Sequence, residues 1–165
     1  MRKILGYFPV PVISLVCVLL QATVLYRCLP GSPWGDPICA VTPDLIQLGC
    51  WLAALRAGML GSTWFGFWGG LWLGAFVGEF GPSLMMYTLF GWLSGIAAEL
   101  QPNPRSKDLI YWSLAGSLFL GLGLWLAQTL LVGEAVSLRA LAMQFPGQMI
   151  WQLLSLLILA KLRFR

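Results

Sequence analysis

Apolar residues run along this chain in blocks far longer than a water-soluble core needs, separated by short stretches rich in proline, glycine or basic residues. A helix crossing the bilayer core uses about 20 mostly apolar residues, and the pattern divides into six such segments, at about 4–26, 43–57, 62–77, 82–98, 109–132 and 146–162. One boundary needs an argument. The run from Pro43 to Val77 holds a single basic residue, Arg56; as one rod it would be about 50 Å long, too long for a single crossing. The pattern therefore predicts a break between Arg56 and Gly61, with a short second span before it and a third span after it. Local punctuation agrees. Thr42-Pro43-Asp44 reads as an N-cap, a proline at the first helical position and an acid in the first turn, where the helix dipole favours it. Gly81-Pro82-Ser83 and Phe145-Pro146-Gly147 open the fourth and sixth spans in a similar way.

Composition makes this a polytopic membrane protein with one integral membrane domain over 1–165. Apolar residues are 59% of the 165, charged residues only 10%, and the mean hydropathy is +0.81, whereas soluble domains carry about 25% charge. The same figures exclude a disordered chain, a secreted disulfide scaffold and a nucleic-acid-binding domain. The net charge of +4 acquires a meaning only when the basic residues are placed. With the N-terminus inside, Arg2, Lys3, Arg56, Arg105, Lys107, Lys161, Arg163 and Arg165 fall on the cytoplasmic side and only Arg27 and Arg139 on the other. That bias follows the positive-inside rule and closes only with an even number of spans. Both termini are then cytoplasmic, and the basic residues are orientation anchors in contact with anionic membrane lipids; no nucleic acid partner is implied. Met1-Arg2-Lys3 before an apolar run also fits a signal peptide. Pro9, Pro11 and the poor processing site at Tyr26-Arg27-Cys28 favour a retained anchor.

Candidate chemistry is sparse. The chain has no histidine, which removes the commonest general base and the commonest transition-metal ligand. It has no zinc-protease motif, nucleophile elbow or P-loop, so the sequence predicts no enzyme, no cofactor and no metal site. Asp44, Arg56, Glu79 and Glu99 all lie at predicted helix ends, whereas proton-coupled transporters place charge deep in the bundle. Arg56 and Glu99 both fall at the cytoplasmic interface, where an ion pair between them would lock the second span to the fourth. Cys17 and Cys50 lie within spans and read as small apolar packers. Cys28 and Cys39 share one outer loop, which would be oxidising if that side is a periplasm; a disulfide between them and two separate thiols are the alternatives.

The third span carries the clearest pattern. Gly66, Gly70, Gly74 and Gly78 recur every four residues, lining one face along which a neighbouring backbone can approach closely. Trp64, Trp68 and Trp72 recur at the same spacing, about 140° away at 100° per residue. Either the glycine face packs within the protein and the tryptophans meet lipid, or one of these faces docks a partner's transmembrane helix. Uncharged polar residues also form stripes: Ser14, Cys17 and Gln21; Ser83, Tyr87 and Ser94; Ser113, Ser117 and Gln128; Gln148, Gln152 and Ser155. They serve as interhelical glue or line a shallow polar pocket for a small molecule or lipid headgroup.

Taken together, Pro43-Asp44-Leu45, Gly58, Gly66-Phe67-Trp68-Gly69-Gly70-Leu71, Gly78, Gly81, Tyr87 and Gly91-Trp92 resemble the MreD family of rod shape-determining proteins. That family shows Pro-Asp-Leu at the start of its second helix and Gly-Phe-x-x-Gly-Leu-x-x-Asp followed by spaced glycines and a tyrosine. The block covers roughly a third of the chain. At the position of the family's aspartate this chain has Gly74, so that acid is lost or its part has passed to Glu79. The resemblance implies a non-enzymatic inner-membrane scaffold of the bacterial cell-elongation machinery. It would bind MreC and, directly or through it, MreB, RodA and a penicillin-binding transpeptidase. It also implies an all-α fold of six transmembrane helices similar to the substrate-binding subunits of energy-coupling-factor vitamin transporters, which supplies the alternative function. Such a subunit presents an Ala-x-x-x-Ala surface on its first span, and Val10 to Gln21 has no such pair.

Overall fold

The computed structural model describes residues 9–21, 44–78, 80–101, 104, 106–127 and 129–130. Outside them lie Cys28 and Cys39, Pro43, Glu79, Arg105, both ends of the chain and the sixth predicted span, 146–162. The described protein is all-α, with four helices: α1 (Val10–Leu20), α2 (Leu45–Val77), α3 (Phe80–Leu100) and α4 (Ser106–Ala127). Two stretches, Leu45–Phe76 and Ile110–Ala127, are long and apolar enough to cross a membrane. The chain forms two compact units, one holding α1, α2 and α3, the other holding α4.

Helix α2 is not a single rod. Gly58 has φ 69° and ψ −161°, a conformation closed to residues with a Cβ, and the chain doubles back there. The Ser62 hydroxyl donates to the Cys50 carbonyl at 2.8 Å across twelve residues, which a straight helix would hold about 18 Å apart. A Cβ on Gly49 would meet the Phe65 ring, and one on Gly69 would meet Ile46. Residues 45–57 and 59–77 are therefore antiparallel arms, and the break expected between Arg56 and Gly61 falls on Gly58. At 1.5 Å per residue the arms are about 20 Å and about 28 Å long. Because Ile46 lies level with Gly69, the first arm starts about 12 Å short of the far end of the second. Asp44, immediately before that start, is buried.

The second arm ends at Gly78, whose φ of 84° and N–H bond to the Gly74 carbonyl at 2.9 Å form a left-handed helix stop. The chain then returns as α3, which packs along α2, while α1 packs on α2 as well. Ile46, Cys50, Phe65, Tyr87 and Phe90 are buried in this unit, and Trp51 meets Phe90 edge to face with ring centroids 5.7 Å apart.

Candidate functional site

The second arm of α2 presents two different faces, and the sequence sets both. On one, glycines bring the backbone of α3 into contact. A Cβ on Gly66 would collide with the Tyr87 carbonyl, and one on Gly70 would lie 2.7 Å from the Ser83 carbonyl. Helix α3 answers with glycines of its own: a Cβ on Gly91 would strike the Ser62 carbonyl, and one on Gly95 would strike Met59 Cα. The two helices thus form an antiparallel seam in which each supplies glycine where the other supplies backbone, the close approach that small residues at four-residue spacing permit. Gly74 is buried, while Gly78 and Gly81 are exposed with open space where a Cβ would stand.

Hydroxyls stitch the same seam. Ser62 and Ser94 are fully buried and lie 2.8 Å apart, with Ser62 also 2.8 Å from the Cys50 carbonyl and Ser94 3.0 Å from the Gly91 carbonyl. Tyr87 and Ser83 are also buried on α3. Ser14 on α1 and Ser113 and Ser117 on α4 are likewise buried.

The other face is a row of rings. Trp64 stacks on Trp68 at 6.4 Å and 18°, and Trp68 on Trp72 at 5.9 Å and 26°. Phe67 sets its edge against both Trp64 and Trp68, at 5.9 Å and 5.6 Å. The row is not uniform. Trp64 is 43% exposed, whereas the Trp72 indole N–H donates to the Pro11 carbonyl at 3.2 Å, so one end of the row is committed to α1 and the other is open. The Pro11 carbonyl also accepts the Ser14 hydroxyl at 3.0 Å.

At the break, Glu99 Oε1 accepts the Met59 backbone N–H at 3.1 Å. Arg56, the residue expected to pair with Glu99, is exposed. Among the described residues no three His, Cys, Asp or Glu side chains gather to hold a metal ion. The sequence reading missed Ser62, Gly95 and the Glu99 bond to Met59, and took Gly91 only as part of the motif block. The three small residues had a visible signal, since Ser62 extends the Gly66 series by one step and Gly91 and Gly95 repeat its spacing on the next helix. Comparison with protein-family models, curated proteins and solved structures finds no match for the chain.

Proposed function

We propose that this chain is an MreD-like scaffold, a six-helix protein of the bacterial cytoplasmic (inner) membrane with both termini in the cytoplasm. It carries out no chemistry and works by binding MreC and, directly or through it, MreB, RodA and a penicillin-binding transpeptidase. The observation that supports this reading most is the division of labour on the second arm of α2. Gly66 and Gly70 are used up on α3, which leaves the Trp64, Phe67 and Trp68 cluster as a stiff ring surface whose Trp64 end is open. Stacked indoles lose little conformational freedom on contact, which is why aromatic residues dominate the centres of protein interfaces. The motif block supports the family reading beside it, because Gly66, Gly70 and Tyr87 stand at this seam and Phe67 stands in the ring row.

The test is depletion in the source cell together with purification in mild detergent. Rods rounding into spheres, and MreC in the purified complex, are the expected results. Unchanged shape, loss of uptake of one vitamin, and an ATPase pair with its coupling subunit in the complex would replace this reading with a vitamin-binding subunit.

A further inference from the structure

The start of the second arm of α2 has no cap of its own. The first turn of any helix leaves backbone N–H groups without intrahelical partners, and a Ser, Thr, Asp or Asn at the preceding position normally accepts one. Here the preceding position is Gly58, and it cannot be otherwise. Its φ of 69° belongs to glycine, and a Cβ there would stand 3.2 Å from Glu99 Oε1. The reversal that folds α2 on itself therefore forbids the side chain that would cap the arm it begins.

We infer that Glu99, forty residues away at the end of α3, is that missing cap, and that it acts as a latch holding the Gly58 reversal against α3. Its carboxylate accepts the Met59 N–H at 3.1 Å, at the positive end of the arm's dipole. Four residues earlier on the same face of α3, Gly95 is the notch into which Met59 Cα fits. Notch and carboxylate grip a single residue from two sides. The close approach at Gly95 fixes how near the arm comes, and the directional bond from Glu99 fixes where along α3 it starts. Glu99 is thus a positioning residue for the polar end of the α2 and α3 pair, and its place does not depend on any partner protein.

Hydrogen exchange of the full chain in detergent, read by peptide mass spectrometry, tests this directly. Glu99→Ala removes the acceptor, Glu99→Gln keeps a carbonyl oxygen in its place. The latch requires that Glu99→Ala raise exchange of the peptide spanning Met59 to Thr63 roughly tenfold, the scale of a lost N-cap, while peptides from residues 66–77 and 83–94 stay as protected as in the parent. Glu99→Gln should fall well below that increase. Unchanged exchange around Met59 in Glu99→Ala would overturn the latch, as would an equal rise along all of α2 and α3, which would make Glu99 a general stabiliser instead. If Glu99→Ala does not fold, Glu99→Gln decides alone, because its neutral amide oxygen is the weaker acceptor: a rise of exchange confined to Met59–Thr63 agrees with the latch, and parent-like protection there refutes it.

Discussion

The hydroxyls of Ser62 and Ser94 meet at 2.8 Å in the fully buried seam between the second arm of α2 and α3. Two hydroxyl protons serve three contacts there. Ser62 donates to the Cys50 carbonyl, so Ser94 divides its proton between Ser62 and the Gly91 carbonyl. One small group thereby joins three stretches of chain: the first arm through Cys50, the second through Ser62 and α3 through Ser94.

This wiring makes the two serines unequal. Ser62→Ala breaks the link to the first arm as well as the link to α3, whereas Ser94→Ala leaves the Ser62 bond to Cys50 in place. Ser62→Ala should be the more destabilising, and the double variant should cost less than the two single costs added. The coupling should be about 0.5–1.5 kcal/mol, the range of interhelical hydrogen bonds in lipid. Thermal unfolding of the four proteins in one detergent measures it, and strictly additive losses would show that the hydroxyls do not act on each other.

Glycines of one sequence pattern should separate sharply under substitution. Gly66→Ala places a methyl on the Tyr87 carbonyl, a backbone atom that yields only if α3 shifts, and overpacking of this kind costs about 1–3 kcal/mol. Gly81→Ala meets nothing within 4 Å and should leave stability unchanged or raise it by up to about 1 kcal/mol, since alanine is the better helix former. Gly78→Ala also enters open space, yet its φ of 84° should make it destabilising through the backbone alone. Unfolding midpoints in the order Gly81→Ala, Gly78→Ala, Gly66→Ala from highest to lowest are expected.

These contrasts also show what the sequence could and could not reveal. The break in α2 was legible because length alone forbids a straight helix of that size from crossing once, and Gly58 was among the few residues that can turn the chain. The glycine stripe was legible as a surface for close approach, but not what approaches it. That depends on α3 offering Gly91 and Gly95 in antiparallel register, a pairing between segments that no local period encodes. The Glu99 bond to Met59 escaped for the same reason: a side chain at the end of one helix meets a backbone N–H forty residues earlier. Charge pointed to Arg56, whereas a backbone amide carries no mark in the sequence.

The tryptophan row looks uniform in sequence and is divided in the structure, so its members should respond differently to phenylalanine. Trp72→Phe keeps a ring against Trp68 but removes the N–H that reaches the Pro11 carbonyl, a bond of about 0.5–1.5 kcal/mol. The carbonyl keeps its Ser14 partner, so the loss falls on the attachment of α1 to α2 and not on α1 itself. Cys17, half-buried on α1, reports that attachment, and its alkylation by a small membrane-permeant maleimide should rise about two- to tenfold as α1 opens more often. Cys50, fully buried, should remain unreactive and so exclude general unfolding. Trp64→Phe touches no such bond and should leave Cys17 at the parent rate. It removes indole area from the exposed end of the row, and if that end holds a partner, capture of MreC should weaken in Trp64→Phe while it persists in Trp72→Phe. Peptide-resolved alkylation and co-purification from the same membranes separate the two roles, and equal effects of both substitutions on Cys17 would show that the row acts as one packing surface.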